Sequence, residues 1–176
     1  METLSVRKTK NLDKVLLQYL RHELKGDVFW KGYINDTQNK PSIHMAVFIE
    51  PFLQFVLEGK KTIESRFSIN QCAPFNKVSK GDILLIKKSG GPIVAICRIS
   101  ERWYYNLSPE SWTEIKTYRD ALCAHDPGFW KQKKDASYAT LMKISNVREI
   151  NPLKIEKKDR RGWIVISSLN NQFSLL

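Results

Sequence analysis

The sequence has no apolar run approaching the roughly 20 residues of a membrane-spanning helix, and no apolar leader-like segment follows Met1. Cysteine is scarce: Cys72, Cys97 and Cys123 form an odd, widely spaced set, which argues against a disulfide framework and for a reducing compartment. His22, His44 and His125 are scattered, with Cys123-x-His125 the one close Cys/His pair, so the ligand spacing of a structural zinc site is missing. There is no Gly-x-Ser-x-Gly elbow. Ser89-Gly90-Gly91-Pro92 joins two strand-like runs and opens no helix, so it is neither a dinucleotide fingerprint nor a phosphate loop. These absences lead us to expect a soluble, cytoplasmic protein with no membrane contact, no metal and no cofactor.

Positive charge is in excess. Against 18 Asp and Glu stand 29 Lys and Arg, a net charge of +11, which is the electrostatic footprint of a polyanion partner and above all of nucleic acid. Hydrophobic residues make up 42%, with 8 Phe, 6 Tyr and 5 Trp, enough for a real core. A length of 176 residues suits one ordinary domain with an appended element.

The pattern along the chain divides it at about residue 42. Leu12, Val15, Leu16, Tyr19, Leu20 and Leu24 recur on one helical face, with Asn11 as cap and Gly26 as stop. This predicts an amphipathic helix docked on the main domain. Val28 to Tyr33 reads as an aromatic connector and Ile34 to Ser42 as a linker. Residues 1–42 are therefore expected to be a helical extension, 43–168 the main domain and 169–176 a tail. Within the domain, strands are predicted at Ile43 to Ile49, Thr62 to Phe67, Ile83 to Lys88, Ile93 to Ile99, Tyr138 to Ile150 and Trp163 to Ser167, with Pro152 ending the fifth. Pro51 opens a short helix that Gly59 stops, and Ser108-Pro109 caps another running to about Cys123. His125 to Asp135 reads as irregular. Six short strands with interspersed helices predict an α+β fold, a small mixed barrel rather than a doubly wound sheet.

The stretch that invites chemistry is Gly59-Lys60-Lys61-Thr62-Ile63-Glu64-Ser65-Arg66. A strand's period of two puts Thr62, Glu64 and Arg66 on one face, with Lys60 and Lys61 at the helix–strand corner. The alternative is an ordinary solvated strand face. The string Phe52-x-x-x-Val56-Leu57-x-Gly59-x-Lys61-Thr62-Ile63-Glu64-x-Arg66, followed by Lys80-Gly81-Asp82-Ile83-Leu84 and a closing Arg161-Gly162-Trp163-Ile164-Val165, resembles the ASCH domain (activating signal cointegrator homology) of the PUA-like β-barrel group. The resemblance implies a barrel whose cleft, between the helix and the next strand, is lined by these polar side chains. It also implies a role in RNA-related processes. One branch resembles an amidohydrolase of N4-acetylcytidine, whose pattern has threonine where Glu64 stands here and a further glutamate for which Glu110 and Glu114 offer no clear register.

That departure matters chemically. A lysine base must be neutral, and a carboxylate beside Lys61 favours its cation; Glu64 in turn, between Lys61 and Arg66, is a feeble base. The row suits holding a ligand better than turning it over: a carboxylate accepts from an exocyclic amino group, and Lys61 and Arg66 take phosphate or carbonyl oxygens. Lys131, Lys133 and Lys134 beside Phe129-Trp130, and Lys157, Lys158, Arg160 and Arg161 before the last strand, supply the basic and aromatic rim that single-stranded nucleic acid needs. Trp103-Tyr104-Tyr105 is a further stacking candidate. The leading expectation is recognition of RNA, another nucleic acid or a modified nucleoside through Lys60, Lys61, Thr62, Glu64 and Arg66. The first alternative is a hydrolase of an acylated nucleoside or a ribonuclease, with Lys61 and Glu64 sharing acid–base work. The second is a protein-interaction module docked through the N-terminal helix.

Overall fold

The computed structural model describes residues 3–5, 12–36, 38, 40–156 and 161–167. In chain order the elements are β1 (Thr3–Ser5), α1 (Leu12–Glu23), α2 (Val28–Asn35), β2 (Ile43–Phe48), α3 (Phe52–Leu57), β3 (Ile63–Ser68), β4 (Ile83–Lys88) and β5 (Ile93–Asn106). There follow α4 (Pro109–Thr117), α5 (Arg119–Leu122), α6 (Pro127–Lys131), β6 (Tyr138–Glu156) and β7 (Trp163–Ser167). One mixed sheet runs in the order β1-β6-β5-β4-β2-β7, with β3 also paired to β6. It curls into a partly open barrel, an α+β fold with flanking helices.

The centre of the sheet follows from an unbroken apolar run. Ile83-Leu84-Leu85-Ile86 lacks the polar alternation of a half-wet strand, as befits a strand covered on both faces. Ile83 and Leu85 enter a core with Leu16 and Leu20 of α1, Leu24 just after it and Trp30 of α2. Leu84 and Ile86 enter the barrel interior with Ala46, Phe48, Cys97 and Trp163. The N-terminal helices thus cover one face of the sheet and share its core. β4 pairs in parallel with β2 and antiparallel with β5.

Several expectations are corrected. Val28 to Tyr33 is helix α2, not a connector, because the Asp27 side chain accepts from Trp30 N at 3.0 Å and caps the turn. Residues 34 and 35 of the expected linker belong to it. The fourth strand continues to Asn106, the helix after Ser108 breaks at Tyr118 into α4 and α5, and residues 127–131 form α6. Pro152 does not end its strand: Ile93 pairs with Leu153 and Ala95 with Glu149, so four β6 steps oppose two on β5, and proline sits in that bulge where its missing N–H is tolerated. A seventh strand, β1, lies parallel on the end of β6. Asn11 and residues 169–176 lie outside the described residues. No helix among those described is long and apolar enough to cross a membrane.

His44 is fully buried. Its Nε2 lies 2.9 Å from Asp82 Oδ2, and Trp163 Nε1 donates to its Nδ1 at 3.3 Å. The indole donor requires an unprotonated Nδ1, so the imidazole carries its hydrogen on Nε2 and donates to Asp82. Asp82 also accepts from the backbone of Ser42 and Ser79. This network ties β2 and β7 to the turn that leads into β4.

If α1 shares the sheet's core, Leu20→Ala costs stability as a core truncation does, about 2–5 kcal/mol, in a denaturant titration. Lys14→Ala on the exposed side of the same helix stays within about 0.5 kcal/mol. Equal, small effects would mean that the helix is only tethered to the domain.

Candidate functional site

The curled sheet leaves a seam. Among the described residues no backbone ladder joins β3 to β2 or β7, the strands at the far end of the sheet. Arg66 spans the gap with its side chain. Its Nη2 donates to Val47 O at 2.9 Å and its Nη1 to Gly162 O at 3.4 Å. The guanidinium also lies over the rings of Phe48 and Trp163, 5.4 and 5.7 Å from their centroids. The absence of a side chain at Gly162 allows this approach, since a Cβ there would stand 3.2 Å from Nη1.

The entry to β3 is set by glycine. Gly59 has φ +72°, a conformation that other residues adopt only with strain; it stops α3 and turns the chain inward. Lys61 is consequently buried, 3% exposed. Its Nζ donates to Leu122 O at 3.0 Å, approaches Glu64 Oε2 at 3.4 Å and sits 5.3 Å from the centre of the Phe52 ring. Glu64 is 5% exposed. Its Oε1 lies 2.9 Å from Arg66 Nε, an ion-pair contact off the axis of a hydrogen bond. Glu64 faces the barrel interior closely enough that its charge, after burial itself, helps push the Cys97 thiol up.

These side chains line a cavity of about 240 Å³ together with Phe48, Phe52, Phe67, Phe129 and Lys133. Phe129, from α6, lies 5.8 Å from Phe52 and 6.2 Å from Phe67 between ring centroids, so the three form an aromatic wall over the Lys61–Glu64–Arg66 floor. Asp126 caps α6, accepting from Gly128 N at 2.8 Å, which fixes where Phe129 stands. Lys133 Nζ sits 5.8 Å from the Phe129 ring centre, on the cavity wall. The volume falls just below the usual range of ligand pockets, roughly 300–1,000 Å³, and suits a base or a nucleoside better than anything larger. A wider recess of about 740 Å³ lies between α1 and the bulge of β6, lined by Tyr19, His22 and Pro152, but no buried charge lines it.

The expected site residues divide accordingly. Lys61, Glu64, Arg66 and Lys133 converge on one cavity. The solvated-face reading of β3 fails for Glu64, because that face looks into the barrel. Lys60 is exposed and pairs with Glu58 at 2.6 Å. Thr62 is exposed and faces a separate groove with Trp103, Tyr118 and Lys143. Lys131 and Lys134 are exposed near Lys133 on and just after α6, and Arg161 is exposed next to Gly162. Lys157, Lys158 and Arg160 lie outside the described residues. The Trp103-Tyr104-Tyr105 rings are engaged rather than free. Trp103 packs on Tyr118, Tyr104 packs on Phe75 and bonds Val78, and Tyr105 donates to Glu114 at 2.7 Å. Glu114 is thereby occupied, and neither it nor Glu110 lines the cavity.

Sequence reasoning missed Phe48, Phe52 and Gln132 as cavity residues. They come from separate elements, and only the lysines beside Phe129 gave a local signal. Burial pushes the Cys123 thiol up, against the pull of Lys61 and Lys60.

No protein-family model matches the chain, and no curated protein matches it. Among solved structures it is similar to the crystal structure of ASCH from Zymomonas mobilis, with a TM-score of 0.57 and 11% identity over 74% of this chain and 91% of that one. A serine-to-alanine mutant of that protein matches equally, with a TM-score of 0.57 and 11% identity over 74% and 92%. A tyrosine-to-phenylalanine mutant gives a TM-score of 0.52 and 10% identity over 74% and 94%. The chain therefore has the ASCH-type fold.

Removing one partner of a buried ion pair costs about 3–5 kcal/mol. Arg66→Met is expected near the lower end of that range, since Lys61 still stands beside Glu64. Glu64→Gln combined with Arg66→Met recovers part of the loss in a thermodynamic double-mutant cycle. Additive losses would show that the two charges do not depend on each other.

Proposed function

We propose that the chain binds RNA, or a modified nucleoside, by seating a base in the cleft floored by Lys61, Glu64 and Arg66. The observation that carries this is the Glu64 carboxylate at the floor of a small cavity walled by phenylalanine rings. Both cations beside it are already committed, Lys61 to the Leu122 carbonyl and Arg66 to those of Val47 and Gly162. What remains on offer is a carboxylate acceptor set under flat aromatic faces. An aromatic ring bearing an exocyclic amino group matches both features.

Phosphate belongs at the rim. Lys133 lines the cavity wall, and Lys131, Lys134 and Arg161 are exposed. With a net charge of +11, they supply the salt-sensitive share of affinity. The same arrangement argues against strong acid–base chemistry. Lys61 and Glu64 hold each other at 3.4 Å, and Lys61 also donates to Leu122 O at 3.0 Å, so both groups are engaged before any ligand arrives.

Titrating a labelled single-stranded RNA at several salt concentrations tests the reading. Lys133→Ala should lower the slope of log affinity against log salt by about 1. Phe129→Ala should weaken binding by about 1–3 kcal/mol as a lost stacking partner, and Glu64→Gln should change which bases are preferred while leaving the slope unaltered. Unchanged affinity, slope and preference in all three variants would remove the cleft from RNA recognition.

Hydrolysis is the second reading, favoured by one observation: Lys61 and Glu64 both line the cavity, close enough to share a proton through a water. Incubation with N4-acetylcytidine should then yield cytidine and acetate, and Glu64→Gln should abolish the turnover. Intact substrate leaves binding as the function.

A further inference from the structure

A second cationic position lies under α2, and it shares no residue with the cleft. Arg98 of β5 is half-buried, and its Nε is enclosed without a hydrogen-bond partner. Among the described residues it has no carboxylate partner, and the contact that holds it is the Tyr33 ring, 5.4 Å from Cζ to centroid. Its register partner on β6 is Ser145, so the two side chains point to the same side of the sheet. Ser145 Oγ is likewise buried with no partner. Two unsatisfied polar groups side by side are costly in a folded protein.

The local charge balance sharpens the point. Arg148, on the same stretch of β6, has its Nε 3.7 Å from Asp27 Oδ2, while Asp27 Oδ1 accepts from Trp30 N. The Asp27 carboxylate is therefore engaged by partners other than Arg98. Beside it, Phe29 stacks on Tyr33 at 5.4 Å and 14°, and Phe29 is 37% exposed. Arg98 thus brings a planar fork of N–H donors from β5 against the Tyr33 ring of α2, with Ser145 beside it on β6 and the partly exposed Phe29 ring stacked on Tyr33.

We propose that Arg98 and Ser145 form a phosphate-binding position. The guanidinium fork would donate to two phosphate oxygens and the Ser145 hydroxyl to a third, which would satisfy both orphan groups at once. The phosphate is either that of an RNA strand, for which this position would be a contact besides the cleft, or a free phosphate group. The proposal does not depend on the cleft, since it concerns other residues and another ligand group.

Inorganic phosphate titrated into the full-length protein, followed by backbone amide NMR, tests the site itself. Shifts centred on Arg98, Ser145 and Tyr33 are expected, and Arg98→Ala should abolish them. No shift there with phosphate, or the same shifts in Arg98→Ala, would overturn the proposal. A short oligouridylate distinguishes the source. If the phosphate belongs to an RNA strand, Arg98→Ala weakens oligouridylate binding at low salt by about tenfold or more and lowers the salt slope by about 1. If those are unchanged while the inorganic phosphate shifts persist in the wild type, the ligand is a free phosphate group. Should Arg98→Ala fail to fold, Ser145→Ala carries the test: weaker phosphate binding supports the site, and unaltered binding refutes it.

Discussion

Glu64 is a carboxylate with almost no access to water, and the cost of placing it there governs the surroundings. An unpaired buried carboxylate is untenable in a protein interior, so the chain supplies two cations. One comes from the corner before β3 and one from two residues along it. Those cations also need satisfying, and each finds backbone carbonyls: Lys61 that of Leu122, Arg66 those of Val47 and Gly162. A single buried acid thus recruits contacts from β2, β3, α5 and the approach to β7. Such a chain of obligations is weak evidence for stability, because apolar residues of similar volume often do as well. It is better evidence that the acid has a use.

The position of the row explains how that use is compatible with folding. A sheet closed by hydrogen bonds between its first and last strands would leave no room for a ligand between them. Here the sheet is joined across the gap by a side chain, Arg66, stacked on Phe48 and Trp163. The opening beside it becomes the 240 Å³ cavity. The rest of the fold holds the two edges in place. The His44–Asp82–Trp163 network fixes β2 and β7, the ladder from Ile63 to Ser68 fixes β3 on β6, and α1 and α2 brace the outer face of the sheet.

Much of this was legible in the residues because the physics is local. Ile83 to Lys88 read as a strand, Gly59 as a helix stop, and the string from Gly59 to Arg66 carried its own pattern. Where the reading failed, a tertiary fact overrode a local one. Pro152 looked like a terminator because nothing in its neighbourhood reveals that β6 bulges there against β5. Val28 to Tyr33 looked like a connector because its helix rests on one Asp27 cap and on packing against β6, with Trp30 Nε1 donating to Asn146 O at 3.0 Å. The strand period of β3 was right, but which of its faces is wet depends on how far the sheet curls. Thr62 shared the period with Glu64 and Arg66 yet lies before the strand begins, and so faces elsewhere. Of the aromatic wall only Phe129, beside its lysines, gave a local signal, because Phe52 and Phe67 are distant from it in sequence and meet it only through the fold.

Charge sorts the proposed ligand as well as attracting it. A surface of net charge +11 draws any polyanion, and such attraction carries no base preference. Discrimination has to come from a group that behaves differently from the rest, and Glu64 is that group. Its own cations are engaged with carbonyls, so the floor of the cleft offers a ligand a carboxylate acceptor, which suits an amino group, while the two cations keep the floor's net charge positive. Lys133 on the wall and its exposed neighbours offer donors to phosphate. In the proposed complex the base would therefore sit inward through hydrogen bonding and stacking, with its phosphate outward on the rim lysines. The buried acid would then give the cleft its polarity, which a uniformly basic groove of the same shape would lack.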